Sequence, residues 1–252
     1  MRHDPSHLIP KIAALVPMRH NSERVAGKNY RSFAGEPLYR HIVRSLLACP
    51  LISRIVIDTD SPVIKKDVSD VFPRVILIDR PPHLSDGTVA MNDVLKYDIS
   101  RIEGEYFLQT HSTNPLLSHQ TITEAIQKFF DNYPTYDSLF SVSRMAVRLW
   151  DSKGKPVNHN PEILLRTQDL PPIYEENSCM YIFPRTLMET RNNRIGVHPL
   201  MFEIDKIESF DIDEEMDFKV AEFLHKTYYK YKEALADEME SIDISTLHAT
   251  GD

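Results

Sequence analysis

The chain is poor in cysteine and glycine. Its 252 residues include two cysteines, Cys49 and Cys179, seven glycines and one tryptophan. Two distant cysteines cannot build a multi-ligand metal framework or a disulfide scaffold, so buried free thiols in a reducing compartment are expected. With so few glycines there is neither a G-x-G-x-x-G fingerprint nor a G-x-x-x-x-G-K-[ST] phosphate loop. This disfavours a dinucleotide-binding oxidoreductase and excludes a P-loop enzyme. No apolar run reaches the 18 residues that a membrane helix needs. The opening Met1-Arg-His-Asp-Pro-Ser-His7 lacks the apolar core of a signal peptide. There is no H-E-x-x-H, His159 and His198 lack metal-ligand spacing, and no G-x-S-x-G elbow occurs. A net charge of −8 gives no basic excess for a general nucleic-acid binder, although a nucleotide needs only a local basic pocket.

What is present is periodic. Ile12–Val16 is an apolar run that predicts a buried strand, and Glu36–Cys49 carries an apolar stripe of helical spacing. Arg54–Asp58 and Arg74–Ile78 predict two more strands. Ser61-Pro62 places a cap residue and an N1 proline at a helix start. Met91–Ile102 and Thr121–Phe130 predict helices around a fourth strand, Glu105–Gln109. Apolar strands spaced by helices predict an α/β fold with a mostly parallel sheet covered on both faces. Ligands of such sheets bind beyond the carboxyl ends of the strands, which puts Arg19, Asp58, Arg80 and Gln109 along one rim. From about Asp137 the pattern changes. Ser138–Ser143, Arg148–Trp150, Ser178–Phe183 and Pro199–Ile204 predict strands, Asp151–Pro172 a long loop, and Glu215–Tyr229 a closing helix. Residues 1–10 are expected to be a flexible leader, 11–240 a single domain and 241–252 a flexible tail.

Five segments can carry chemistry. Val16–Asn29 follows the first strand and brings Arg19, Arg24 and Lys28 together within ten residues. It is either a polar surface loop or a cradle for an anion. Asp58-Thr-Asp60 is either a carboxylate pair or a helix cap. In Asp79–Thr88, Arg80 reaches either a ligand or a surface partner. Gln109–Pro115 is rich in uncharged hydrogen-bonding groups that suit either a sugar or a turn, and its His111 is either a general base or a solvated histidine. Glu208–Asp217 holds six carboxylates in ten residues. If Asp211 and Asp213 are extended they share a face opposite Ile212 and can hold a hard cation through oxygen. The alternative, strongest for Glu214 and Glu215, is that these carboxylates complement the dipole of the closing helix.

Taken in order, these segments resemble the acylneuraminate cytidylyltransferase family. Met18-Arg-His-Asn-Ser-Glu-Arg-Val-Ala-Gly-Lys-Asn29 fits A-R-x-x-S-x-x-x-x-x-K-N with Met for Ala. Asp58-Thr-Asp60 stands for S-T-D, Arg80–Thr88 for R-P-x-x-L-(A)-S-D-x-T, and Leu108–Leu116 for L-Q-P-T-S-P-L. Gln168-Asp-Leu-Pro171, Asn177–Ile182 and Asp211–Asp217 follow for Q-x-L-P, N-G-A-I-Y-I and D-I-D-x-x-x-D. The match spans about residues 11–225.

The resemblance implies a Rossmann-like sheet of the nucleotide-diphospho-sugar transferase kind, with a small β-rich extension within 145–205 that serves dimerisation and covers the sugar. It implies that Arg19, Asn21, Ser22, Lys28 and Asn29 hold CTP, and that Arg80 with Leu84 and Ser85 reads the cytosine. Gln109, Ser112, Thr113, Asn114, Gln168 and Asn177 would contact the sugar. Asp211 and Asp213 would bind Mg²⁺ or Mn²⁺, and Arg19, Lys28 and Asp211 would carry the transfer. The partners implied are CTP, a keto-deoxy acyl sugar acid and a second copy of the chain, in the cytoplasm, with no nucleic acid or membrane. Two departures bear on the sugar: Thr110-His111 replaces one proline, and Ser178 replaces a glycine. With these departures the sugar expected is a nonulosonate other than N-acetylneuraminate, or a related keto-deoxy acid. Rival readings are a nucleotide-binding regulatory module without turnover and a sugar nucleotidyltransferase using another base.

Overall fold

The computed structural model describes residues 9–227. The tail 241–252, most of the leader and the last two residues of the expected closing helix lie outside them. The first strand, β1 (Ile12–Met18), has every residue buried. Along it the side chains alternate between two apolar layers, as the pleat requires. Ile12, Ala14, Val16 and Met18 face one layer, and Ala13 and Leu15 the other.

Two short strands, β2 (Ser32–Phe33) and β3 (Glu36–Pro37), form a separate hairpin before helix α1 (Leu38–Ala48). Strand β4 (Ile52–Thr59), helix α2 (Pro62–Val71) and strand β5 (Ile76–Asp79) follow. Next come α3 (Met91–Arg101), β6 (Tyr106–Thr110) and α4 (His119–Asn132). The remainder contributes β7 (Ser138–Met145), β8 (Ile173–Pro184), α5 (Arg185–Arg191) and β9 (Pro199–Glu203). Residues 215–227 are helical.

The main sheet has seven strands in the order β5-β4-β1-β6-β8-β7-β9. β5, β4, β1 and β6 pair in parallel, as do β7 and β9. β8 runs antiparallel between β6 and β7. Helices α1, α2 and α4 cover one face through Ile42, Leu46, Ile64, Val68, Ile122 and Phe129. The opposite face is covered by α3 and α5 through Leu95, Ile99, Leu187 and Met188. Caps set the helix starts: Ser61 accepts from Ile64 N at 3.3 Å with Pro62 at the first position, and Ser118 accepts from Thr121 N at 3.2 Å.

A third apolar cluster lies off the sheet. It joins Val25, Phe33 and Leu38 from the early chain to Ile212, Phe218 and Ala221 from its end. The two cysteines are buried free thiols. Among the described residues no helix is long and apolar enough to cross a membrane.

The expected parallel sheet is present, with three differences. Arg148–Trp150 forms no strand; Trp150 makes one isolated bridge, to Pro156. Asp151 explains this, because its carboxylate accepts from the amides of Lys153 and Lys155 at 2.8 Å each and folds the chain back at once. Ser178–Phe183 is the second half of the longer β8. Within 145–205, the span expected to contain a β-rich extension, β8 and β9 are strands of the main sheet and 146–172 is a long excursion from it.

Leu15 is fully buried in β1, an interior strand of the sheet. Leu15→Ala is expected to cost about 2–5 kcal/mol of unfolding free energy, seen as a lower urea midpoint with an unchanged slope.

Candidate active site

The carboxyl ends of parallel β1, β4 and β6 come together at one edge of the sheet, where an open α/β sheet places its ligand. A cavity of about 410 Å³ opens there. The loop after β1, Arg80, Gly87, Met91, residues 111–113, Ser178, Asp211 and Asp213 line it.

The basic loop is held from beneath. Val25 is buried in the third apolar cluster. Gly27 has φ +61°, and a Cβ there would meet the Tyr30 ring at 2.8 Å, so the turn into the short 3-10 segment Lys28–Tyr30 needs glycine. Lys28 Nζ donates to the Ile212 carbonyl at 2.6 Å. Burial lowers the pKa of this ammonium, while Asp211 and Asp213 pull it back up. Asn29 acts as a clamp, donating to the Arg19 carbonyl at 2.8 Å and accepting from Ser112 Oγ at 2.7 Å. Arg19, Asn21 and Ser22 line the cavity. A Cβ on Gly87 would lie 2.7 Å from Glu23 Oε1 and 2.8 Å from Arg19 Nη1, so a larger residue there would displace the ends of these two side chains.

The acidic segment faces Lys28. Ile212 is fully buried in the third cluster, and its neighbours Asp211 and Asp213 both line the cavity. The alternation expected from the sequence is thus present without a formal strand. Burial raises the pKa of Asp211 and Asp213 adds to the rise, against a hydrogen bond to Thr113 and the charge of Lys28. Asp213 also pairs with Arg24 at 2.5 Å. Asp217 accepts from the amides of Asp213 and Glu214, at 3.0 and 2.7 Å, and so caps the helix that follows. Glu215 pairs with Arg31. Among the described residues no group of three His, Cys, Asp or Glu side chains could hold a metal. The two carboxylates suit a hard cation that takes its other ligands from phosphate and water.

Arg80 is 6% exposed and pairs with buried Asp58 at the end of β4. Asp98, on α3, completes a buried trio. Burial pushes its carboxyl up to about 10, and the charge of Asp58 adds to this while Arg80 opposes it. Asp98 therefore holds its proton at neutral pH. Arg80 Nη2 has no hydrogen-bond partner among the described residues, and the side chain lines the cavity. Asp60 accepts from the amide of His20 at 2.6 Å, so the Asp58-Thr-Asp60 pair divides between an ion pair and a loop anchor.

The remaining expected site residues separate. Ser112 and Thr113 line the cavity. Asn114 is buried beside Asp211, 3.5 Å away, and does not line it. Leu84 is buried and Ser85 donates to the Pro81 carbonyl at 3.3 Å; neither lines it. Gln109 is fully buried behind His111. Asn177 fastens β7 to β8, accepting from Ser141 Oγ at 2.6 Å and donating to Ser143 Oγ at 3.0 Å. Its neighbour Ser178 lines the cavity instead, with φ +59°, a conformation suited to the glycine that the resemblance places there. Gln168 is exposed and borders a different cavity with Arg144, Leu170 and Glu203, so this chain alone does not bring it to the site. Sequence reasoning missed Asp98. The available signal was a charged residue on the stripe formed by Val94, Leu95 and Ile99, all buried.

A family model described as "Cytidylyltransferase" matches residues 13–241. The "Post-translational flagellin modification protein B" of Campylobacter coli is 27% identical over 230 residues, 86% of this chain and 95% of that protein. The CMP-N,N'-diacetyllegionaminic acid synthase of Legionella pneumophila is 29% identical over 235 residues, 85% of this chain and 96% of that protein. A pseudaminic acid cytidylyltransferase of Campylobacter jejuni is 21% identical over 233 residues, 87% of this chain and 98% of that protein. A solved structure of CMP:2-keto-3-deoxy-manno-octonic acid synthetase complexed with CTP has a TM-score of 0.66 and 13% identity. That likeness covers 86% of this chain and 99% of that chain and is one of fold.

Asp98 has a folded pKa above its unfolded value, so its contribution to stability is lost as pH rises from about 4 towards about 10. Asp98→Asn mimics the protonated acid and removes that slope. Urea unfolding should show the variant gaining on wild type between pH 5 and 8. Arg80→Leu, which leaves buried Asp58 without its cation, should cost about 3–5 kcal/mol at pH 7.

Proposed function

Because the chain belongs to the cytidylyltransferase family, we propose that its cavity joins CTP to a nonulosonate or related keto-deoxy acyl sugar acid, giving a CMP-sugar and pyrophosphate. One observation carries this reading: Arg19 and Lys28 face Asp211 and Asp213 across one cavity at the strand ends, beside a wall of neutral donors and acceptors. The charged part suits a triphosphate with its cation. The neutral part, with Ser112, Thr113 and Ser178, suits hydroxyl and acyl groups. The names of the Legionella and Campylobacter relatives, which refer to legionaminic and pseudaminic acids, support the sugar class.

In this mechanism the anomeric hydroxyl of the sugar acid attacks the α-phosphorus of CTP, and pyrophosphate leaves in line. Most of the catalysis is positioning and charge compensation. Arg19 and Lys28 offset the charge that grows on the departing phosphates. Asn29 and Ser112 fix the backbone that carries Arg19, so little reorganisation is needed when charge develops. Arg80 lines the cavity, where its guanidinium would approach the cytosine. Asn21 and Ser22 add polar contacts at the phosphates. Asp211 and Asp213 would hold Mg²⁺ or Mn²⁺, which when bound neutralises phosphate charge and acidifies a coordinated hydroxyl.

The stretch 146–172 supports a homodimer. It exposes Trp150 at 53%, Val157 at 58%, Ile163 at 56% and Leu164 at 88%. Apolar side chains clustered on one irregular segment mark a surface that another chain covers. A second copy also gives Gln168 a route to a site. A requirement for CTP, together with the two buried thiols, is consistent with the cytoplasm.

Pyrophosphate release should require CTP, a divalent cation and a sugar acid together, and CTP binding without sugar-dependent release would overturn the reading. Lys28→Met and Asp211→Asn should each lower kcat by about 100-fold or more while the protein stays folded. Ile163→Asp with Leu164→Asp should convert a sedimenting dimer to monomer; an unchanged mass would remove this segment from the interface.

A further inference from the structure

Gln109 is completely enclosed, and its hydrogen bonds define the state of His111. Arg194 Nη1 donates to Gln109 Oε1 at 2.8 Å. A guanidinium has no acceptor, so the amide oxygen must face it. The amide nitrogen then gives one proton to the Thr110 carbonyl at 3.2 Å and the other to the ring Nε2 of His111 at 2.9 Å. A ring nitrogen that accepts a hydrogen bond carries no proton, so the proton of the neutral imidazole lies on Nδ1. Arg194 is itself held, with its guanidinium 3.7 Å from the centre of the Tyr181 ring. The Tyr181 hydroxyl bonds to Glu176 and to Ser178 Oγ.

The imidazole lines the cavity beside Ser112 and Ser178. Its Nδ1 has no hydrogen-bond partner among the described residues and is not a sealed orphan. We infer that His111 is a fixed hydrogen-bond donor, through Nδ1–H, to a carbonyl or carboxylate oxygen of the sugar acid, with Gln109 and Arg194 as the positioning residues behind it. The inference rests on the sugar-acid reading of this cavity. It removes the general-base role, because the only unprotonated nitrogen is occupied by Gln109. Burial, with Arg194 and Lys28 nearby, holds the imidazole pKa down to about 4, in keeping with a neutral ring.

The test uses the full chain and the isosterism of amides with the two ring nitrogens. In His111→Asn the amide nitrogen can take the place of Nδ1; in His111→Gln it takes the place of Nε2. The Asn variant should keep the KM for sugar within about threefold of wild type, whereas the Gln variant should raise it about tenfold or more. KM for CTP should not move in either. Gln109→Glu, whose carboxylate accepts, should draw the proton to Nε2 and reproduce the Gln defect with the ring still present. Running an acylated nine-carbon acid beside a non-acylated eight-carbon keto-deoxy acid separates the acceptors. A penalty only on the first identifies the acyl carbonyl, and a penalty on both identifies the carboxylate.

Nitrogen-15 shifts of the His111 ring at pH 7 provide a readout independent of turnover. They should show the neutral Nδ1–H form, with the Nδ1 signal moving when CTP and N-acetylneuraminate are added. A proton on Nε2, or equal sugar KM values in the Asn and Gln variants, would overturn the inference. If the wild type turns over no sugar, the cytidylyl-transfer reading falls. The nitrogen titration still decides this one, and an unmoved Nδ1 signal counts against it.

Discussion

The site depends on one long-range contact, in which Ile212 packs into the apolar cluster of Val25, Phe33, Leu38 and Phe218 while its carbonyl accepts from Lys28. The two partners are 184 residues apart in sequence. This single anchorage carries Asp211 and Asp213 to the loop after β1 and holds cations and carboxylates across one gap. The pairs Arg24–Asp213 and Arg31–Glu215 run along the same seam. Both are substantially exposed, so they add little stability compared with the burial of the six apolar residues.

The buried charges are arranged to be available to a ligand. Lys28 loses water on burial and recovers only part of the loss from Asp211 and Asp213. Asp211 is in the converse position, with its pKa raised by burial despite Lys28. Both groups gain if a polyphosphate and a divalent cation complete the set. Arg80 is held differently. It pairs with buried Asp58, beside an Asp98 carboxyl whose pKa burial raises, while its side chain lines the cavity. A charge positioned in advance, away from bulk water, acts on a ligand with little reorganisation.

The cavity therefore has two chemical characters. Salt bridges, a capped helix and a glycine-dependent turn build the charged part. A β-strand end builds the neutral part, where Gln109, His111, Ser178 and Tyr181 share hydrogen bonds. The two departures from the family pattern, His111 and Ser178, both face this neutral part. Arg19, Lys28 and Asp211 keep the residue types that the pattern has.

Local pattern determined much of this protein. The unbroken apolar run of β1, the helical stripes, the Ser-Pro cap of α2 and the Asp-Ile-Asp alternation each depend on neighbours within a few residues, and each is found where the sequence puts it. The basic loop and the acidic segment were legible as chemistry for the same reason. Tertiary structure alone decided the rest. The insertion of β8 antiparallel between β6 and β7 depends on partners 28 or more residues away, and Arg148–Trp150 fails as a strand because Asp151 turns the chain before a partner is met. Asn177 has its polar atoms taken by β7, Gln168 borders another cavity, and Gln109 lies behind the histidine that it orients. Residue type and spacing state which groups a chain possesses. Which of them keep a free hydrogen-bonding position is settled only when the sheet closes and each buried polar atom takes its partner.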